Sequence, residues 1–425
     1  MTRSGRIAAG PDRARPPAVW RGNAAFARLC SAVVVSELGD WLLFIALPLY
    51  VLDASGSALA TSTVFLAELV PAVVVGTLCA PLIDRRDPAR LLAVLTGVQT
   101  VVLLPLLWVQ PDHVWVVYIV AGAQSALTSI TIPSQQAVVP MLVKPGDISP
   151  ANAVVHVASN GARLIGSPLG GALLPVLGLT GLVIADMASF LASALLLAGC
   201  VHHTSRPKTC PPSGRAIAVA EGWHAVRRST TLSTALIVAF VGSVAQGLFL
   251  VLFVLFVLRS LHAGDAVVGL LRGVQAIGGV LGGLLIASLV RRASARTLTV
   301  WGLSGFALVT LLTWNSPTFT TSNWWYVALF IAVGAPGAAF ATGLITGTQE
   351  ATPSSVLGRV VSLVQVAQAL GQGAGILAAG LLSSLMSLTV LLNAQAGCYL
   401  TCAVIAIVGF APKRETQERA VAAAR

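Results

Sequence analysis

This sequence has little charge. Charged residues fill 10% of its 425 positions and hydrophobic residues 56%, whereas a soluble domain carries roughly 25% charged residues. So little charge cannot cover a water-facing surface. Cysteine is sparser still. The six cysteines (Cys30, Cys79, Cys200, Cys210, Cys398 and Cys402) form no pair at disulfide or metal-site spacing, so they read as small apolar fillers. No Gly-x-x-x-x-Gly-Lys-[Ser/Thr] phosphate loop occurs, which argues against an ATP-driven pump. There is also no intramembrane His/Asp/Glu metal constellation, Gly-x-Ser-x-Gly turn or Ser–Lys pair, and five of the six histidines fall at span ends or in loops. A membrane enzyme is therefore disfavoured, and neither cofactor nor metal is expected. The tails are too short for a sensor's accessory domain.

What is present is a succession of apolar runs. Crossing the hydrocarbon core takes about 20 helical residues, and twelve runs qualify: 26–51, 58–82, 91–109, 114–140, 151–176, 180–201, 232–258, 266–289, 298–315, 324–349, 359–384 and 387–410. The longest polar connection, 202–231, carries Pro207, Pro211 and Pro212 and divides the spans six and six. The expected organisation is a tail at 1–25, a six-helix bundle at 26–201, the central loop at 202–231, a second bundle at 232–410 and a tail at 411–425. Within the loop, Arg215 to Arg228 has helix-forming composition with Trp223, suited to lying on the membrane surface. The basic N-terminus has no apolar core before residue 29, so it reads as a retained tail rather than a signal peptide.

Orientation follows from lysine and arginine. Of the 26 basic residues, 23 fall in the tails, the central loop and the connections on the same side. The opposite loops hold Arg259, while Arg163 and Arg272 lie within spans. Both termini and the central loop are thus expected in the cytoplasm, with the chain in the cell membrane. The net charge of +11 is accounted for by this asymmetry, and no nucleic-acid partner is implied.

The chain also repeats itself. The segment from Gly76 through Arg85-Arg86 to Arg90 recurs 206 residues later, from Gly282 through Arg291-Arg292 to Arg296. Each copy ends the second span of its half. Parallel repeats of this kind point to a transporter whose halves rock around a central site.

At these residues the chain resembles the major facilitator superfamily. Ala80-Pro81-Leu82-Ile83-Asp84-Arg85-Arg86-Asp87-Pro88-Ala89-Arg90 keeps that family's Asp-Arg pair and trailing arginine, with Ala80 at the leading glycine and Asp87-Pro88 around the second. Ser36-Glu37-Leu38-Gly39-Asp40-Trp41, the run Pro133 to Pro140, Ala151-Asn152-Ala153 and the run Asp186 to Phe190 resemble the macrolide-efflux and enterobactin-exporter branch. The resemblance implies an all-α integral membrane fold of twelve helices in two pseudo-symmetric bundles. It implies a gating cluster of Asp84, Arg85, Arg90, Arg291, Arg292 and Arg359, with Asp84 facing the positive end of the eleventh helix at Gly358-Arg359. Gly166, Pro168, Gly170 and Gly171 resemble the glycine-rich antiporter motif, interrupted by Ser167. Gly166 and Gly170 would allow close helix approach and Pro168 a bend; Gly371 and Gly375 offer a similar face in the second half.

Ionisable groups inside spans are functional candidates, since each costs roughly 2.5–3.5 kcal/mol on insertion scales. Four are acids: Glu37, Asp40, Glu68 and Asp186. At 1.5 Å per residue, Glu37 lies about 14 Å and Asp40 about 18 Å from the basic side, with Glu68 about 24 Å from Asp84. Glu37, Asp40 and Glu68 are expected to form an acidic cluster that exchanges protons or holds a cation. Asp186, about 9 Å from the far side, and Arg163, about 10 Å from it, lie at one level. Two readings stay open for Arg163: an ion pair with Asp186, or a cavity group binding an anionic substrate. Among the polar candidates for the cavity are Gln135, Gln246 and Gln275, with Trp41, Phe44 and Phe249 as aromatic surface. The expected function is proton-coupled export of hydrophobic small molecules (a drug, an antibiotic or a secondary metabolite), with a siderophore or other metabolite as the alternative cargo. Multidrug efflux and antibiotic resistance would follow, with a monomer in the lipid bilayer as the working unit.

Overall fold

A computed structural model describes residues 23–144, 147–200, 223–289, 293–353 and 356–410, and at 77–85, 149 and 287–289 it describes the backbone alone. All regular elements among them are helical. Helices α1 (Ala24–Ser55), α2 (Ala58–Arg85), α3 (Pro88–Val102) and α4 (Trp115–Leu142) come first. The run Ile148–Ala198 is twice the length one crossing needs and breaks at Gly178 (φ 64°, ψ 177°), giving α5 at 148–177 and α6 at 179–198. After it come α7 (Thr230–Leu255), α8 (Asp265–Leu289) and α9 (Ala295–Asn315). Span α10 is built from Asn323–Ala332 and Gly334–Ala351, and α11 (Leu357–Leu382) and α12 (Leu388–Gly409) complete the set. Among the described residues, eleven runs are long and apolar enough to cross a membrane, and the break at Gly178 makes twelve crossings.

Local chemistry sets the boundaries. Asn23, Ser57, Asp87, Ser229, Ser294 and Ser387 each accept a backbone N–H at a helix start, satisfying donors the first turn leaves orphaned. The Asp87-Pro88 departure in the repeated loop is one such start: Asp87 accepts from the Ala89 and Arg90 amides, and Pro88 follows in the first turn. Pro336 cannot donate to the Ala332 carbonyl, and α10 breaks between Ala332 and Gly334. The central segment through residue 222 lies outside the described residues. Helix 223–228 packs Val226 against Leu232 and Val360, and Arg227 stacks on Trp223 at 5.3 Å.

A similar glycine contact occurs in each half. Gly166 and Gly170 of α5 lie against the Leu38 and Leu42 carbonyls of α1, and Gly371 and Gly375 of α11 lie against the Phe240 and Val244 carbonyls of α7. The glycines are 205 residues apart in both cases. Lipid tails give no hydrophobic drive between helices, so such backbone contact is a main source of attraction.

The end where α1 starts and α12 finishes is here the basic end, its opposite the far end. One apolar cluster joins both halves at the far end, including Leu49, Phe65, Phe253, Val268 and Ile376. At the basic end the cores separate. Phe26, Leu29, Leu92 and Val138 belong to a cluster of the first half, and Val238, Leu303, Tyr399 and Ala406 to one of the second. The halves are thus joined at the far end and part toward the basic end. Trp108, Trp115 and Trp324 are exposed at the far end, as in an interfacial aromatic belt.

Candidate functional site

Helix α5 positions the site by carrying two contact faces. Gly166 and Gly170 seat it on α1, while Pro168 and Gly171 meet α8 at Gly273 and Asp265. The glycine-rich segment therefore forms the seam between the halves. A second seam pairs α2 with α11, where Ser62 meets Gly380 and Leu69 meets Gly373. This antiparallel order puts the α2 end that holds Asp84 and the α11 start at Gly358 at the same end of the molecule.

Two cavities matter here, one inside the first half and one beside the α5–α8 seam. The first, of about 330 Å³ within the first half, is lined by Glu37, Asp40, Glu68 and Asp186 together. No lysine, arginine or histidine among the described residues lines it. Glu37 accepts hydrogen bonds from the Ser159 hydroxyl at 3.2 Å and the Trp41 indole N–H at 3.3 Å. Asp40 lies within electrostatic reach of Asp186, Glu37 and Glu68. Asp186, 1% exposed, accepts from the Ser189 hydroxyl at 3.0 Å. Its carboxylate sits where a Cβ on Gly39 would fall, so only glycine at 39 lets α6 bring that acid so close to α1.

The second cavity, of about 230 Å³, is lined chiefly by the second half: Gln246, Phe249, Arg272, Gln275, Trp314, Phe330 and Gln395, with Arg163 reaching in from α5. Arg163 and Arg272 both donate to the Gln275 side-chain oxygen, at 3.0 and 3.1 Å. Arg163 lies over the Trp41 ring at 4.7 Å, and Arg272 over the rings of Phe44 and Phe249 at 5.6 and 5.1 Å. Such cation–π contacts partly replace lost hydration.

The Arg163–Asp186 ion pair expected from depth is not formed. The levels agree, since Arg163 meets Trp41 and Asp186 meets Gly39. The two face α1 through different residues, however, and line different cavities. Depth along a helix fixes height and says nothing of direction around the axis. The acid cluster is larger than the three expected members, because Asp186 joins Glu37, Asp40 and Glu68.

Of the gating candidates, Arg90 is exposed at the start of α3 and Arg359 half-buried in the first turn of α11. The side chains of Asp84, Arg85, Arg291 and Arg292 lie outside the described residues. Gln135 lines the acidic cavity, and Gln246 and Gln275 the second. Sequence reasoning passed over Gln99 and Gln124, whose amides cross-link α3 and α4 in the acidic cavity, and also Gln395. It gave Arg272 no role either, although an arginine inside an apolar span was the available signal.

The transmembrane secretion effector family model matches residues 19–424. The "Uncharacterized MFS-type transporter YfiS" of Bacillus subtilis (strain 168) is 24% identical over 379 residues, covering 86% of this chain and 88% of that protein. Among solved structures, a bacterial homologue of the iron transporter ferroportin in an inward-facing state has a TM-score of 0.69 at 16% identity, covering 91% of this chain and 99% of that one. A bacterial homologue of the human lysosomal transporter Spinster, inward-facing and unoccupied, has a TM-score of 0.65 at 14% identity, covering 92% and 96%. A transporter rather than an enzyme, this chain belongs to the transmembrane secretion effector family of the major facilitator superfamily.

Proposed function

We propose that this transporter exports a hydrophobic small molecule, such as a drug, antibiotic or secondary metabolite, in exchange for protons. It would do so from the cytoplasmic membrane, with its termini inside. The loop charges support that orientation. The basic end is then the cytoplasmic end, and the parted halves offer the cavities to the cell interior.

The observation that carries the reading is the gathering of all four intramembrane acids in one cavity that no basic residue among those described lines. At about 6 Å and an effective dielectric near 20, two like charges repel by roughly 3 kcal/mol. Four carboxylates with no cation cannot all stay charged in such a space, so the cavity must take up protons or a cationic ligand. Asp40 and Glu68 are the exchange sites, since no described side chain bonds or pairs with their carboxylates. Glu37 and Asp186, held by Ser159, Trp41 and Ser189, set the field around them. The Asp84 cluster would latch the halves at the basic end when the far end opens.

Everted vesicles with an imposed proton gradient test this, screened with cationic, neutral and anionic hydrophobic compounds. Gradient-driven uptake should be lost in Asp40→Asn and Glu68→Gln and reduced in Glu37→Gln. Undiminished transport in all three variants would overturn the proton-exchange reading.

A further inference from the structure

We infer that the second cavity is a recognition site for an organic anion, a carboxylate borne on an aromatic or similarly flat apolar group. Arg163 and Arg272 bring two guanidinium groups to one side-chain oxygen, that of Gln275. No carboxylate among the described residues lies within ion-pair distance of either. Arg272 is 7% exposed and Arg163 half-buried, and two like charges with so little access to water are costly when no anion faces them.

The remaining hydrogen-bonding capacity points the same way. Arg163 Nε is buried and donates to nothing. Gln395, 1% exposed, accepts the Trp314 indole N–H at 2.9 Å. Its side chain also neighbours that of Tyr399. The group left over at this cavity, Arg163 Nε, is thus a donor, and a buried donor left over calls for an acceptor. The acids of the first cavity cannot serve. Trp41 and Phe44 line that cavity and present their rings to Arg163 and Arg272, so the aromatic pair stands between the two charge sets.

Shape supplies the rest of the specificity. Phe249, Trp314 and Phe330 wall the cavity. An apolar cavity of about 150 Å³ holds benzene, so about 230 Å³ admits a ring together with a carboxylate. A guanidinium meets a carboxylate through paired N–H donors, and two of them can grip both oxygens. That the anion is the exported cargo rests on the exporter reading; the binding does not.

The test uses the purified full-length protein in detergent at fixed ionic strength, without a gradient. Thermal unfolding and calorimetry would be run with benzoate, with the neutral isostere benzamide and with inorganic phosphate. Benzoate should bind about tenfold more tightly than benzamide, the size of one charge-assisted contact, and raise the unfolding temperature where phosphate does not. Gln275→Glu then places a carboxylate between the two arginines. This near-isosteric variant should unfold at a higher temperature than the wild type without ligand, and should lose the preference for benzoate. Arg272→Gln should also lose it. Equal binding of benzoate and benzamide, stabilisation by phosphate as large as by benzoate, or a preference retained in Gln275→Glu would overturn the assignment. Because neither readout involves transport, loss of proton-driven export would leave this result standing, and the reverse holds too.

Discussion

Replacing Gly171 by alanine should drive the protein toward the state in which the far end is open. A Cβ at Gly171 would run into the Asp265 carbonyl group and the Gly269 amide nitrogen of α8. These are backbone atoms, so a rotamer change cannot relieve the clash and α8 must move. Overpacking of this kind costs roughly 1–3 kcal/mol. The cost applies only while the far-end seam is closed, and a strain present in one state alone shifts the equilibrium by its full amount. The ratio of far-end-open to far-end-closed molecules should therefore rise about 5- to 150-fold. Spin labels at Asp112 and Ser322, both exposed near the far end, should move apart in the variant. A second pair at Lys144 and Glu350, exposed near the basic end, should draw together. If Gly171→Ala folds and both distance distributions match those of the parent, the glycine seam does not set the resting conformation.

Two further substitutions probe the break between α5 and α6 and the link between the cavities. Gly178→Ala puts a side chain at φ 64°, ψ 177°, a region almost confined to glycine. It should lower stability by about 1–3 kcal/mol, read as a lower unfolding temperature in detergent with the helical content of the parent. Trp41→Phe keeps a ring beneath Arg163 but removes the indole N–H that Glu37 accepts. Export should slow about tenfold, in keeping with a hydrogen bond to a charged group of roughly 1.5 kcal/mol, while benzoate affinity is unchanged; a change in affinity with unaltered export would refute this division of labour.

The fold was written in the sequence more plainly than the site. Hydrophobic runs must be near 20 residues to cross a bilayer, and that requirement leaves little freedom. The spans 266–289, 298–315 and 387–410 meet Asp265–Leu289, Ala295–Asn315 and Leu388–Gly409 with small shifts. The gap at 177–179 falls on the break at Gly178. Spacing also revealed that Glu37 and Asp40 share a face and that glycines at 166 and 170 would seat another backbone. Direction around a helix was the missing quantity. Asp186 and Arg163 were at the right height but turned to different cavities, because Gly39 admits one to α1 and Trp41 receives the other. Nor could any local pattern show that Arg163 and Arg272, 109 residues apart, share the oxygen of Gln275. That meeting depends on how α5 packs on α8, which only the assembled halves determine.

The division of the second cavity between halves has a consequence for release. Most of its wall moves with α8, α9, α10 and α12, but Arg163 belongs to α5 and travels with the first half. When the far-end seam parts, α5 draws away from α8 and takes one of the two cations along. A ligand gripped by both arginines on the side where it boards would face only Arg272 on the side where it departs. Grip would then be a property of the closed seam, and the motion that exposes the cargo would be the one that loosens it.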